Sequence, residues 1–99
     1  MPYQIVLSEP AEAHLQDFTA RNQRIVVEAI VEQLSYQPTV ATKNRKLMRT
    51  NPLATWELRI GKLRVYYDVE EQPEPLVRIL AIGIKERNQV WIGNKRVNL

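Results

Sequence analysis

The clearest pattern of apolar and polar positions lies in residues 55–69, where the two types alternate on both sides of a Gly61-Lys62 pair. Alternation with a period of two is typical of strands with one buried face, and a glycine at the first central position suits the II′ turn of a β-hairpin. Such a turn fixes the register. It predicts three pairs on the apolar face: Ile60 with Leu63, Leu58 with Val65, and Trp56 with Tyr67.

The same register predicts an unusual set of neighbours on the other face of the hairpin. Arg59 lies opposite Arg64, and Glu57 lies opposite Tyr66. Two like charges directly across a hairpin are mildly destabilising, and an anion bound between them would remove the repulsion. Phosphate fits two guanidinium groups well. The alternative is that both arginines only cover apolar surface on a solvated face.

The remaining pattern predicts two helices and two further strands. A β-branched strand at residues 3–7 precedes Ser8, a candidate N-cap, and apolar residues recur at helical spacing over residues 10–20 and 22–36. Residues 76–84 are almost continuously apolar, as in a central strand covered on both faces. The order β-α-α-β-β-β predicts an α+β fold, with a two-helix hairpin on one face of a mainly antiparallel four-stranded sheet.

Two segments carry basic residues outside these elements. Residues 37–52 are predicted to be a connection, because prolines bracket it and no period holds across it. It contains a cluster of cations: Lys43, Arg45, Lys46 and Arg49. The cluster is either a solvated surface or part of a binding site. The tail after residue 88 carries Trp91 and a short basic run, with little space for another long element.

Length and composition narrow the class of protein. The 99 residues suit a single domain (1–99), and a formal net charge of +3 favours nucleic acid or another acidic partner. With no cysteine and one histidine, a disulfide framework is excluded and a zinc enzyme is disfavoured. No apolar run approaches the roughly 18 residues that span a bilayer. We therefore expect a cytoplasmic protein without a membrane partner.

The predicted polar face carries cations and aromatic rings rather than a common catalytic motif. RNA suits such a surface, because arginine binds phosphate and aromatic rings stack on unpaired bases. The residues that share it are Arg59, Arg64, Lys85, Arg87, Tyr66 and Trp91. Cutting RNA also requires a group that removes the proton of the ribose 2′-hydroxyl. Glu57 and Tyr66 are the candidates, and the alternative for Glu57 is an ion pair with an arginine.

The element order, the hairpin at residues 57–67 and the segment at residues 82–87 resemble the RelE/ParE toxin superfamily of bacterial type II toxin-antitoxin systems. The resemblance implies a small basic toxin held inactive by an antitoxin, which also binds operator DNA. In the RelE branch, the toxin enters the ribosomal A site and cuts mRNA there as an endoribonuclease, without a metal or cofactor. In the ParE branch, a similar fold inhibits DNA gyrase.

The resemblance also assigns roles to individual residues. Arg64 matches the phosphate-binding arginine of RelE, Lys85 falls where a second catalytic arginine is found, and Trp91 falls where RelE has a tyrosine. Two lysines of RelE align with Thr55 and Glu57, which lack their charge, but related toxins of the YoeB and HigB branches use a carboxylate.

These matches predict an RNA-cutting site with Glu57 as general base and with Arg64 and Lys85 on the phosphate. The RNA would also contact a wider set of residues: Arg59, Tyr66, Arg87, Trp91, Lys43, Arg45, Lys46 and Arg49. The alternatives are a ParE-like gyrase inhibitor and a non-toxic relative that only binds its antitoxin.

Overall fold

A computed structural model describes residues 2–98 and contains two helices and seven strands. In chain order they are β1 (Gln4–Leu7), α1 (Glu9–Gln16), α2 (Ala20–Leu34), β2 (Arg45–Leu47), β3 (Trp56–Ile60), β4 (Leu63–Glu70), β5 (Leu76–Glu86), β6 (Gln89–Ile92) and β7 (Lys95–Val97). The predicted α+β architecture is confirmed: both helices pack on one face of a mainly antiparallel sheet. The strand count is higher than the four predicted.

The sheet is built around β5, which confirms the predicted central strand. The strand order is β2-β3-β4-β5-β6-β7, and β1 pairs in parallel with the first part of β5. The second part of β5 pairs antiparallel with β6. Because β5 is 11 residues long, β1 and β6 both fit on one of its edges, one after the other.

The predicted hairpin register is confirmed. β3 and β4 pair Ile60 with Leu63 and Arg59 with Arg64, as the Gly61-Lys62 turn requires. Gly61 has a φ of +58°, in the left-handed region that favours glycine. The two arginines therefore do lie directly opposite each other on one face of the sheet.

Three short strands and the helix junction differ from the sequence-based prediction. β2 lies inside the segment predicted to be a connection, and the tail forms the β6–β7 hairpin. Strands of three or four residues contain too few positions to establish a period. The helix junction lies at residues 17–19 rather than near residue 21, because the Thr19 hydroxyl accepts a hydrogen bond from the Asn22 amide and caps α2.

The main core lies between the helices and the sheet. Trp56 and Tyr67, predicted to be core residues, are buried there and stack with their ring centroids 6.2 Å apart. A second, smaller cluster on the opposite face contains Ala54, Tyr66 and Ala81. No helix within residues 2–98 is long and apolar enough to cross a membrane.

His14 fills the gap on the edge of β5 between β1 and β6. Its Nδ1 accepts a hydrogen bond from the Ile82 amide at 3.3 Å, where no strand supplies an acceptor. Burial lowers the pKa of His14, although the carboxylate of Asp17 partly opposes that shift. The imidazole is therefore held in its neutral form and completes the hydrogen bonding of the sheet.

Candidate nucleic-acid interface

A cleft of about 460 Å³ opens on the face of the sheet opposite the helices. Strands β2, β3, β4 and β5 and the β6–β7 hairpin contribute residues to it. Six basic residues line the cleft: Lys46, Arg49, Arg59, Arg64, Lys85 and Arg96. Glu57 is the one carboxylate among the lining residues of residues 2–98. A concave surface with this excess of positive charge attracts anions.

Arg64 is the most buried of the basic residues that line the cleft. It is only 9% exposed, and its Nη1 donates to the carbonyl oxygens of Gly61 at 2.6 Å and Leu63 at 2.9 Å. These bonds fix the guanidinium beside the hairpin turn. Within residues 2–98, no carboxylate lies within ion-pair distance of Arg64. A charge this far out of water is costly unless an anion neutralises it.

Gly83 lies on β5, directly opposite Arg64 and close against β6. A Cβ atom at this position would lie 2.5 Å from the carbonyl oxygen of Trp91 and 2.8 Å from a side-chain carbon of Ile92. Such distances are far inside van der Waals contact. The close approach of β6 to β5 beside the cleft therefore requires glycine here.

Glu57 is paired with Arg59, the alternative to a free base that the sequence left open. The Arg59 Nε lies 2.6 Å from Glu57 Oε1, and the two side chains differ in exposure, at 45% for Arg59 and 12% for Glu57. Glu57 also stands opposite Lys46 on β2 and Tyr66 on β4. Among the described residues that line this cationic cleft, the Glu57 carboxylate is thus the single negative charge, and it is bound to Arg59.

Tyr66 lies on the predicted face but beneath its surface. The ring is fully buried under the segment that joins β2 to β3, with Leu53 and Ala54 packed near it. Its hydroxyl is buried and meets no partner with full hydrogen-bond geometry in the described part of the chain. Burial raises the pKa of Tyr66 far above its usual value. The nearby Glu57 carboxylate raises it further, through its charge and as a hydrogen-bond acceptor, against the opposing charges of Arg64 and Arg59. The ring is therefore not exposed for base stacking.

The structure brings some of the predicted contact residues into the cleft. Besides Glu57, Arg59 and Arg64, the cleft is lined by Lys46 on β2, Arg49 after it and Lys85 on β5. Lys85 is two residues after Gly83 on β5, so its side chain lies on the same face of the sheet. It lines the cleft and is half-buried. Four strands and one loop thus place these cations around one concave surface.

Arg45 is not brought into the cleft, because it points to the opposite face of the sheet. It pairs with Leu58, a residue of the main core, and is only 7% exposed. Its guanidinium donates to the Val40 carbonyl at 2.8 Å and to the carbonyl and side-chain oxygens of Gln33, both at 2.9 Å. These contacts tie β2 and the preceding loop to the end of α2.

Three other predicted contact residues also lie outside the cleft lining. Trp91 pairs with Ile84, whose side chain packs against the main core, so Trp91 lies on the helix side of the sheet. Arg87 occupies the turn between β5 and β6 with a φ of +51°. Lys43 is exposed in the loop before β2. None of them contributes to the cleft in this structure.

The tail supplies cleft residues that the sequence did not reveal. Asn88 and Gln89 line one wall, and Arg96 and Asn98 extend it. The sequence signal for the β6–β7 hairpin was the Gly93-Asn94 pair, which is typical of a tight hairpin turn and has positive φ at both residues. That turn folds the basic end of the chain back beside β6. Within residues 2–98, no group of three His, Cys, Asp or Glu side chains is arranged to hold a metal ion.

Comparison with known proteins gives a structural relationship but no match in sequence searches. No family model and no curated protein matches the sequence. Among solved structures, the chain is similar to a chain of the toxin-antitoxin complex RelBE2 from Mycobacterium tuberculosis, with a TM-score of 0.73 and 25% sequence identity. The similarity covers 86% of this chain and 100% of that chain. The resemblance to the RelE/ParE toxin superfamily is thereby confirmed, and the fold is RelE-like.

Proposed function

We propose that this chain, which has the RelE-like fold, is the toxin component of a type II toxin-antitoxin system. In this proposal it inhibits translation by cutting mRNA on the ribosome. Two observations support it: the structural neighbour comes from a toxin-antitoxin complex, and the basic cleft suits an RNA backbone. The proposed partners are a cognate antitoxin, the ribosome and mRNA, with operator DNA bound only through the antitoxin complex.

The observation that carries the proposal is the state of Arg64. An arginine that is 9% exposed and has no carboxylate partner in residues 2–98 is suited to bind an anion that enters from the cleft. Arginine binds phosphate oxygens through parallel N–H bonds, and exclusion of water strengthens them. Arg59, directly opposite, and Lys85, on the next strand, add charge on the same side.

The chemistry follows from the groups that share the cleft. Glu57 takes the proton of a ribose 2′-hydroxyl, and the oxygen attacks the adjacent phosphorus. The bond from phosphorus to the 5′-oxygen breaks, leaving a 2′,3′-cyclic phosphate and a 5′-hydroxyl, whose proton comes from the Lys85 ammonium. Arg64 and Lys85 stabilise the extra negative charge on the phosphorane. Every step uses residues of the cleft, without a metal ion.

The first test is to induce the chain alone in bacteria and to follow protein and DNA synthesis by pulse labelling. Arg64→Ala should abolish the fall in protein synthesis, because loss of one such transition-state contact typically costs about 10²–10³-fold in rate. Arg78→Ala is the matched control. It also removes one arginine, but Arg78 is bound to Glu70 away from the cleft at 3.0 Å.

The outcomes separate the proposals. The proposal is supported if protein synthesis falls before DNA synthesis, if Arg78→Ala is as toxic as the parent chain, and if Arg64→Ala is not toxic. The cut sites on mRNA are then mapped. If Arg64→Ala is fully toxic while it folds normally, the proposed site is wrong. Thermal unfolding of both purified variants provides the folding control.

The gyrase-inhibitor alternative is supported by the ion pair between Glu57 and Arg59. The carboxylate is already bound to a guanidinium at 2.6 Å instead of being open to a ribose hydroxyl, as expected of a protein that binds its target without chemistry. In that case DNA synthesis falls before protein synthesis, and DNA breaks accumulate. A chain whose expression leaves both processes unchanged would be a non-toxic relative that only binds its antitoxin.

A further inference from the structure

Glu57 and Tyr66 lie directly opposite each other across the β3–β4 pair, and Glu57 lines the cleft while Tyr66 is buried beneath it. The Glu57 carboxylate binds Arg59, and it also lies close enough to the buried Tyr66 hydroxyl to raise the pKa of that hydroxyl. That hydroxyl meets no partner with full hydrogen-bond geometry within residues 2–98. Most buried hydroxyls are hydrogen-bonded, so an unpartnered one beside a carboxylate needs a physical explanation.

We infer that Tyr66 is a positioning residue and a second partner of Glu57. The Glu57 carboxylate accepts a hydrogen bond from the Tyr66 hydroxyl when Arg59 turns away to a bound anion. The inference rests on the proposed function in naming that anion as an RNA phosphate. Tyr66 itself never touches the RNA, because its ring is fully buried. It acts through Glu57.

The different exposure of the two ion-pair partners supports this exchange. Arg59 is 45% exposed and free to swing toward a phosphate bound at Arg64, directly across the hairpin. Glu57 is only 12% exposed, so it stays on the floor of the cleft when Arg59 leaves. A carboxylate left there without a hydrogen bond is costly, and the nearby Tyr66 hydroxyl, on the residue directly opposite Glu57, can supply one.

The exchange would also prepare Glu57 for proton transfer. A hydrogen bond from Tyr66 holds one carboxylate oxygen inward and leaves the other directed toward the cleft, where the 2′-hydroxyl would lie. Tyr66 remains a donor at all physiological pH values, because burial raises the pKa of its hydroxyl. Lys46 on β2 lies opposite Glu57, and the other ionisable groups that line the cleft with it within residues 2–98, besides Arg59, are Arg49, Arg64, Lys85 and Arg96, all of them cations.

The experiment measures the pKa of Glu57 directly, by ¹³C NMR of the labelled carboxylates, in Arg59→Ala and in Arg59→Ala/Tyr66→Phe. Glu57→Gln in the same background identifies the signal. Without Arg59, the hydroxyl should hold the carboxylate in its charged form, so Tyr66→Phe should raise the pKa of Glu57. In the parent chain, where Arg59 still binds Glu57, the same substitution should change that pKa much less.

Tyr66→Phe is a conservative test, because it keeps the buried ring and removes only a hydroxyl that meets no partner with full hydrogen-bond geometry in residues 2–98. Arg59→Gln provides a second background in case Arg59→Ala does not fold. If Glu57 titrates at the same pH with and without the Tyr66 hydroxyl in either background, the inference is wrong.

RNA cleavage supplies the second readout. The acid limb of the pH–rate profile, which reports the protonation of Glu57, should move to higher pH in Tyr66→Phe. At acidic pH the loss should fall on kcat rather than KM, and the hydroxyl should have no effect in Glu57→Gln. An unchanged profile in an active enzyme would overturn the positioning role. If the parent chain cuts no RNA, the proposed function fails, and the NMR titration still decides whether Tyr66 is a partner of Glu57.

Discussion

Arg45 and Lys46 are neighbours in β2 whose side chains lie on opposite faces of the sheet, and the contrast between them provides a sharp test. Arg45 binds the end of α2 and the preceding loop, whereas Lys46 is exposed and lines the cleft. We predict that Arg45→Met lowers stability with little effect on RNA cleavage per folded molecule. Lys46→Ala should leave stability almost unchanged and weaken RNA binding.

The magnitude for Arg45→Met follows from its three hydrogen bonds, at 2.8, 2.9 and 2.9 Å. A hydrogen bond to a charged group contributes about 1.5–3 kcal/mol, but water replaces the donor at the exposed Val40 carbonyl. Arg45 is a buried cation without a carboxylate partner within residues 2–98, so its removal offsets part of the loss of stability. We therefore expect a fall of about 3 kcal/mol in the free energy of unfolding, or roughly 12–24 °C in Tm for a domain of this size.

The matched change at Lys46 should leave stability within about 0.5 kcal/mol, because its side chain is exposed and makes no hydrogen bond within residues 2–98. Its loss should weaken RNA binding and reduce the slope of log affinity against log salt by about 0.7. Urea denaturation and an RNA-binding titration measure the two properties separately. The reasoning would be refuted if Arg45→Met kept its stability but lost RNA cleavage.

Three further outcomes test other parts of the structure. Gly83→Ala should lower the free energy of unfolding by about 1–3 kcal/mol in urea, because its Cβ would lie 2.5 Å from the backbone oxygen of Trp91; an unchanged midpoint contradicts this. His14 has a lowered folded-state pKa, so stability is highest above the unfolded-state value of about 6.5 and falls as pH drops below it. His14→Gln should remove this decline near pH 6, as followed by thermal unfolding. Tyr67→Phe should lower the free energy of unfolding by about 1–2 kcal/mol, because the buried Tyr67 hydroxyl donates to a loop carbonyl at 2.6 Å. Denaturant unfolding should show this as a lower midpoint with an unchanged m-value.

The hairpin was predictable in detail because its information is local. Period-two alternation and the Gly61-Lys62 turn fixed which residues pair, and with them the opposition of Arg59 and Arg64. The central strand was predictable for a similar reason, since a continuous apolar run has few alternatives to a covered strand. The helices were identified, but their junction was displaced by a cap that depends on one hydroxyl.

The cleft was predictable only in part. Arg64, Lys85 and Glu57 could be placed from the strand pattern, but Arg45 and Lys46 differ by one position in a three-residue strand whose register the sequence did not reveal. A shift of one residue moves a side chain to the other face of the sheet. The same uncertainty applies to Trp91, whose face depends on its pairing with Ile84.

The types of the longer elements, the hairpin register and the opposition of two arginines therefore follow from the sequence, because turn chemistry and periodicity act between residues close in the chain. The tertiary structure decided which cations share the cleft, that Glu57 binds Arg59, and that the Tyr66 hydroxyl is buried beside it. These features depend on the packing of segments far apart in the chain, namely the β2–β3 segment and the β6–β7 hairpin against one sheet face. Burial and charge pairing arise from that packing.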